Sequence, residues 1–246
     1  MIAMIMAAGL GTRLKPWTLQ HPKALVPVNG VPALQRLILK LKGEGFDHIV
    51  VNVHHFADQV KDFLAANDFG VRIDISDESE RLLDTGGALV RALPMLIEDQ
   101  PVLVHNVDII SNAPLASMVS AHLQAGSDVT LVTSDRDSSR RLLFDSEGVL
   151  KGWHNTVSGE YRPAGFMPQP DMTDQAFSGI YILNAAALRD MQEYAEEIGD
   201  EKFPVMDYFL SLRQGVTVRR LHCPDLRMID IGKPEALAKA SGFIME

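Results

Sequence analysis

A single cysteine, Cys223, stands in a chain of 246 residues, which excludes an internal disulfide and a cysteine-built zinc cluster and suits a reducing compartment. It reads as a small packed or surface thiol. Basic side chains are in deficit, 23 against 32 acidic ones for a formal charge of −9, so broad attraction to a nucleic-acid backbone is excluded. Any nucleotide bound here is small and held locally. No apolar run is long enough to cross a bilayer, and the apolar start at residues 2–8 lacks a basic leader and runs straight into glycines. The expectation is a cytoplasmic protein with no membrane and no nucleic-acid partner. Repeats, low-complexity tracts and interdomain linkers are also missing, and the length is ample for one large α/β domain.

What is present alternates. Short apolar runs at residues 2–7, 48–53, 71–75, 102–105 and 128–133 read as strands. Between them lie helical periods: Leu34, Leu37, Ile38 and Leu41 after Pro32 and before Gly43 and Gly45; residues 56–66; a helix opening near Thr85; and Leu115, Met118, Val119 and Leu123. This alternation predicts a mostly parallel sheet with helices on both faces. The second half changes character. Residues 142–145 and 149–153 flank a turn at 146–148 and predict an antiparallel hairpin, residues 158–173 read as a loop over the sheet, and 177–183 as a strand. A helix over 203–212, short strands at 216–221 and 226–229 and a closing helix over 234–240 complete the expectation of one domain, 1–246, with halves at 1–135 and 136–246.

The chemistry concentrates between Met4 and Val28. A strand ending in Ala7-Ala8-Gly9-Leu10-Gly11-Thr12-Arg13 delivers its backbone into a tight loop at the carboxyl edge of a parallel sheet, where small-molecule sites lie. Gly9 and Gly11 let successive N–H groups turn inward to cradle a phosphate, and Arg13 adds planar donors. A Walker A loop is excluded for want of Gly-Lys-Ser/Thr, and a Rossmann fingerprint because Leu14 stands where its third glycine belongs. On the Gly-x-Gly alone, an ordinary turn with a solvated Arg13 remains open. Pro22 and Pro27 stiffen the segment that carries Lys23, which makes that lysine a candidate for a second phosphate.

Taken in order, Gly9-Leu10-Gly11-Thr12-Arg13-Leu14-Lys15-Pro16-Trp17-Thr18 and Pro22-Lys23-Ala24-Leu25-Val26-Pro27-Val28 resemble the signature of the sugar-1-phosphate nucleotidyltransferases. The resemblance implies the nucleotide-diphospho-sugar transferase fold, a Rossmann-like α/β three-layer sandwich with a mostly parallel sheet and a small antiparallel insertion on the sugar side. Asp84-Thr85-Gly86-Gly87-Ala88-Leu89 resembles the family's second motif, in which Gly86 and Gly87 would admit a base and ribose; a helix start capped by Thr85 or Asp84 is the equal alternative. The apolar strand closing in His105-Asn106-Val107-Asp108 resembles the one that presents a magnesium carboxylate, with Asn106 a nucleotide contact. The family has Gly-Asp there, so a side chain at Val107 is expected to crowd the ribose or shift the acid. Met228-Ile229-Asp230-Ile231-Gly232-Lys233-Pro234-Glu235 matches the motif carrying a second metal aspartate, Asp230, although a helix-cap role is open to it. Phe177-Ser178-Gly179-Ile180-Tyr181 resembles the floor of the sugar pocket, with Gly179 leaving room for the ring. Asn155, with Lys151, Trp153 and His154, reads as a sugar or phosphate contact or as an exposed hairpin end. Glu78 and Glu80 are not separable as ligand-facing groups, and His54-His55 reads as a strand end.

The activity so implied is transfer of a nucleotidyl group from a nucleoside triphosphate to a sugar 1-phosphate, releasing pyrophosphate. Arg13 with the Gly9–Thr12 amides would hold the outer phosphates, Ala8 would be a further nucleotide contact, Lys23 would bridge the attacking and attacked phosphates, and Mg²⁺ on Asp108 and Asp230 would neutralise charge. The members most similar in length and motif act with UTP on N-acetylmuramate 1-phosphate in cell-wall recycling; enzymes pairing GTP or another triphosphate with mannose- or heptose-type 1-phosphates are similar too. The alternatives are a cytidylyl- or molybdopterin-type transferase, a metal-dependent glycosyltransferase of related fold, and a noncatalytic nucleotide-sugar sensor.

Overall fold

β1 (Ile2–Met6) explains the architecture. Every residue is buried, and the side chains alternate: Ile2, Met4 and Met6 enter one apolar cluster, Ala3, Ile5 and then Ala7 another. A strand apolar on both faces is stable only inside a sheet covered by helices on each side. A computed structural model describes residues 1–97, 100–232 and 234–243. In chain order β1 is followed by the hairpin β2 (Pro27–Val28) and β3 (Val31–Pro32), then α1 (Ala33–Gly43), β4 (His48–Val53), α2 (Ala57–Ala65), β5 (Arg72–Asp77), α3 (Asp84–Leu96), β6 (Val102–Asn106), β7 (Ile109–Ser111), α4 (Leu115–Ala125) and β8 (Val129–Ser134). The second half continues with β9 (Arg140–Phe144), β10 (Leu150–Asn155), β11 (Tyr161–Arg162), β12 (Thr173–Leu183), α5 (Ala185–Ile198), α6 (Val205–Leu210), β13 (Val218–His222), β14 (Met228–Asp230) and α7 (Pro234–Phe243).

One ten-stranded sheet runs β11-β10-β9-β12-β6-β1-β4-β5, with β8 attached to β12 and β13 to β8. β1 pairs in parallel with β4 on one side and β6 on the other, and β4 with β5. The chain therefore leaves β1 in one direction and returns to its opposite side, which opens a crevice at the carboxyl end of β1. α3, α5 and α6 cover one face and α1, α2 and α4 the other. The predicted stripe Leu34, Leu37, Ile38 and Leu41 is fully turned inward. Each such side chain contributes about 1.5–3 kcal/mol by leaving water. Among the described residues no helix is long and apolar enough to cross a membrane.

The structure departs from the sequence reading in several places. α5 was not foreseen, although Ala187, Leu188, Met191 and Ala195 carry a helical period, Asn184 caps the start by accepting from the Ala187 N–H (2.7 Å), and Gly199 closes the end in the left-handed region. Leu123 is 61% exposed, and His122 takes its place on the inner face, bonded through Nδ1 to Thr130 Oγ1 at 2.8 Å. The expected loop at 158–173 contains β11, which pairs with β10, and β12 begins at Thr173 so that it reaches β9. β12 runs antiparallel to β6, β8 and β9, so the continuous parallel run β5-β4-β1-β6 ends at β12, beyond which β13 again pairs in parallel with β8. Cys223 is half-buried and free, and burial raises its thiol pKa.

Candidate active site

The loop after β1 is bent around Lys23. Gly11 sits at φ 61°, and a Cβ there would lie 2.8 Å from the Thr18 methyl and 2.9 Å from Lys23 Cβ, so only glycine lets the lysine stem pass beneath the loop. The Gly11 carbonyl accepts from the Leu14 N–H and from Thr18 Oγ1, both at 2.8 Å, which holds the loop's shape. On its other side the loop is open. A Cβ on Gly9 would meet nothing within 4 Å, Leu10 is 41% exposed, and the N–H groups of Gly9, Leu10, Gly11 and Thr12 donate to no partner among the described residues. Such a row of free donors is a nest for an anion.

Across from this loop two carboxylates meet. Asp108 follows β6, and the β7–β14 ladder pairs Asp230 with Ile109, while the Ile231 N–H donates to the Asp108 carbonyl at 2.9 Å. The acids, 122 residues apart in sequence, thus become neighbours through a three-residue antiparallel pair whose register no local pattern sets. Lys23 Nζ donates to Asp108 Oδ2, and Arg13 Nη2 lies 3.8 Å from Asp230 Oδ2. Arg13 and the two acids converge on Gly232, where a Cβ would stand 2.8 Å from Asp230 Oδ1, 2.9 Å from Arg13 Nη2 and 3.2 Å from Asp108 Oδ2. Burial pushes the Asp108 carboxyl above its ordinary range, with Lys23 pulling downward and the Asp230 charge adding to the rise. Burial also works to raise Asp230, but the Gly232 N–H, the Asp108 hydrogen bond and the Lys23 and Arg13 charges outweigh it and hold Asp230 low. Two acids split in this way are a pair repelling each other at close range.

Val107 does not crowd this edge. Its side chain is 4% exposed and belongs to the apolar cluster under α1, α2 and α4, so it points away from the acids, and the expected displacement is corrected. Asn106 flanks Gly179: the glycine is at φ 77°, at the irregularity between Phe177 and Tyr181 in the β12–β8 ladder, and its missing Cβ would lie 2.8 Å from Asn106 Nδ2. The space at Gly179 is therefore set by backbone conformation and by Asn106.

Gly86 and Gly87 are bounded differently again. Both N–H groups donate to the Phe203 carbonyl, at 2.8 and 3.3 Å, and Thr85 Oγ1 accepts from the Val205 N–H at 2.9 Å. A Cβ on Gly86 would strike the Phe203 ring at 2.2 Å, and one on Gly87 the Glu201 carbonyl oxygen at 1.9 Å. The donors at the start of α3 are spent on the 201–205 segment, and the protein itself requires both glycines. Asp84, just before them, holds the left-handed conformation (φ 60°) and accepts the Thr85 N–H at 2.7 Å.

Asn155 is not joined to the cluster: its side-chain carbonyl accepts from Val157 and Ser158 N–H at 2.9 and 3.3 Å and closes its own turn. Lys151 pairs with Asp145, Arg162 lies over the Trp153 ring, and His154 meets Asp174 and stacks on Tyr161. Lys233 lies outside the described residues. Glu78 and Glu80 separate clearly, Glu78 being 3% exposed and Glu80 open to solvent. Arg136 was missed. It extends beyond β8, donates through Nη2 to the Phe177 carbonyl at 2.8 Å, and is close enough to Asp230 for their charges to interact. A lone arginine after a strand gives no pattern to find it by.

A family model for nucleotidyl transferases matches residues 2–246, and the chain belongs to that family. Its fold is that of the nucleotide-diphospho-sugar transferases: the crystal structure of HddC from Yersinia pseudotuberculosis complexed with GMP-PN is similar at a TM-score of 0.77, with 25% identity and 99% of each chain covered. Mannose-1-phosphate guanyltransferase beta-A of Xenopus laevis is 30% identical over 240 residues, 96% of this chain and 62% of that protein. N-acetylmuramate alpha-1-phosphate uridylyltransferase of Caulobacter vibrioides is 46% identical over 161 residues, 63% of this chain and 62% of that one. The chain spans about three fifths of the length of these curated relatives.

Proposed function

We propose that this chain transfers a nucleotidyl group from a nucleoside triphosphate to a sugar 1-phosphate, releasing pyrophosphate. The observation that carries the reading is the convergence of Arg13, Lys23, Asp108 and Asp230 beside a loop whose amides are free. Attack by one phosphate on another needs no added nucleophile; its barrier is the repulsion of two anions brought to bonding distance, so countercharge and positioning are what a catalyst must supply.

The donor set suits Mg²⁺. Among the described residues no group of three or more His, Cys, Asp or Glu side chains forms a cage, and two adjacent carboxylates are what a cation that takes its other ligands from water and phosphate needs. When bound on Asp108 and Asp230, the ion would supply charge neutralisation at the reacting phosphate. The chain's own groups do the rest. The Gly9–Thr12 amides and Arg13 grip the outer phosphates, so the leaving pyrophosphate meets donors already in place, whereas the Ala8 N–H, expected as a nucleotide contact, is bonded to Asn52 Oδ1. Lys23, held by Asp108 and walled in by Gly11, delivers a fixed ammonium between the attacking and attacked phosphates. Asn106, expected as a nucleotide contact, stands against Gly179, which is assigned to the sugar, with Arg136 a further cation bonded to the nearby Phe177 carbonyl. Residues 1–135 are the nucleotide half and 136–246 the sugar half, Asn155 belonging to the latter's rim, and Gly86 and Gly87 shape the base side by carrying the turn. Val107, where the family has glycine, would favour a noncatalytic sensor only by crowding the acids, and its burial speaks against that.

The substrates proposed are UTP with N-acetylmuramate 1-phosphate, or GTP or another triphosphate with a mannose- or heptose-type 1-phosphate, in a cytoplasmic, cell-wall or other nucleotide-sugar route. Pyrophosphate release across a panel of triphosphates and sugar 1-phosphates with Mg²⁺ tests this. Release that needs both substrates is expected; a panel with no pyrophosphate from any pair overturns it.

A further inference from the structure

The free loop after β1 is not suspended on its own. The Ala7 and Ala8 N–H groups both donate to Asn52 Oδ1, at 2.6 and 3.3 Å. Asn52 Nδ2 donates to Glu78 Oε1 at 2.8 Å, and the other oxygen, Oε2, accepts from the Leu83 N–H at 3.2 Å. Asn52 and Glu78 are each 3% exposed, and no lysine or arginine among the described residues forms an ion pair with Glu78. Glu78 is itself pinned at the backbone: its N–H donates to the Val53 carbonyl at 2.8 Å, and the Glu78 carbonyl accepts from His54 Nδ1 at 2.6 Å. Burying a carboxylate without an ion-pair partner is costly, and burial raises the pKa of Glu78 against the downward pull of the Asn52 and Leu83 hydrogen bonds and the His54 and Arg91 charges. A group kept at that cost needs a task that an apolar residue could not perform. The task visible here is joining the phosphate-side loop, which leaves β1 at Ala7, to the turn at residues 83–87 that opens α3.

We infer that Asn52 and Glu78 are positioning residues that fix the spacing between the glycine loop and the 83–87 turn, and so set affinity for the nucleoside triphosphate rather than for the sugar phosphate. This rests on the proposed function. Neither residue touches the acid pair: they act through the Ala7, Ala8 and Leu83 amides. The orientation of each group is forced, since two N–H donors face Asn52 Oδ1 and only a donor can face a carboxylate.

That polarity supplies the test. Glu78→Gln places a donor against either Asn52 Nδ2 or the Leu83 N–H, and Asn52→Asp sets a second carboxylate against Glu78. The double variant Asn52→Asp/Glu78→Gln restores every bond with the central one reversed: the carboxylate at 52 accepts from Ala7, Ala8 and the amide at 78, whose carbonyl accepts from Leu83. With the triphosphate and sugar 1-phosphate that the wild type uses, E78Q is expected to raise KM for the triphosphate roughly tenfold, the loss of about one buried hydrogen bond. KM for the sugar phosphate stays as in wild type, and the double variant returns the triphosphate KM to within about threefold. In the substrate-free protein, amide hydrogen exchange at Ala7 and Ala8, the two amides bonded to Asn52, speeds up in E78Q and recovers in the double variant. Should E78Q fail to fold, E78D, which keeps the charge but shortens the reach, takes its place. The inference is overturned if the folded single variant keeps wild-type triphosphate KM and exchange, if both KM values rise together, or if the double variant is worse than either single one. A wild type that releases no pyrophosphate refutes the proposed function instead, and the exchange comparison still judges this pair.

Discussion

The chain has two turns rich in glycine, and they are glycine for opposite reasons. Around Gly9 nothing lies within 4 Å of a missing Cβ and the neighbouring amides are free, whereas Gly87 has the Glu201 carbonyl oxygen 1.9 Å from that point and gives its N–H to Phe203. One turn is open toward something the protein does not contain. The other is filled by the chain's own 201–205 segment. Residue type alone does not separate a ligand cradle from a tight internal contact; what separates them is whether the donors are spent and the space is taken.

This contrast can be broken in order of effect. Lys23→Ala removes the ammonium that the open turn is built around, and pyrophosphate release is expected to fall on the order of a thousandfold; thermal stability falls as well, because the buried Asp108 carboxyl loses its partner. A variant releasing pyrophosphate at the wild-type rate would take Lys23 out of the chemistry. Gly87→Ala forces a backbone carbonyl to move and should cost about 3 kcal/mol in denaturant unfolding. An unfolding curve superimposable on wild type would mean the turn is as open as the other. Asp108→Asn and Asp230→Asn should each lower rate on the order of ten- to a hundredfold and shift the Mg²⁺ titration of activity upward; an unmoved titration would show that the residue replaced is not a ligand.

The next prediction concerns the opposite face of β6. His105 is fully buried behind Asn106, with Nδ1 donating to the Asn106 carbonyl at 2.8 Å and Nε2 without a partner among the described residues, and burial lowers its pKa to about 4. Because the folded pKa lies below the unfolded value of about 6.5, this histidine's contribution is complete above pH 6.5 and is lost as pH falls toward 4. Stability should drop by about 2 kcal/mol from pH 7 to pH 5 on this account. His105→Asn, whose amide can keep the bond to Asn106, should flatten that slope, with His122, also lowered by burial, leaving a remainder. An equal slope in the variant would assign the acid sensitivity elsewhere. Smallest of all, Gly9→Ala should change stability by less than about 0.5 kcal/mol, since no protein atom stands in its way, and should weaken triphosphate binding. A loss as large as that of Gly87→Ala would erase the distinction between the two turns.

Much of the frame was legible because period and burial are local. β4 falls on the expected residues 48–53, the stripe Leu34, Leu37, Ile38 and Leu41 is inside, and the turn at 146–148 joins β9 to β10. Arg13, Lys23, Asp108 and Asp230 were named from order and motif and are found together. Less was legible where a residue's partner lies far along the chain. Gly86 and Gly87 were assigned to a base, yet residues 201–205 fill the space beside them, and Asn155 was assigned to a sugar, yet it caps its own turn. Glu78 could not be told from Glu80 until Asn52 was seen beside it.

By itself the sequence determined that the fold would be a helix-covered sheet with a phosphate-sized loop after the first strand, because alternation, period and backbone freedom are properties of neighbouring residues. Only the tertiary structure decided which acid stands beside which cation and which glycine faces empty space, because those outcomes depend on β14 pairing with β7 and on residues 201–205 closing over α3. Such long-range pairings are selected by the burial of the whole molecule, and no short stretch of chain records them.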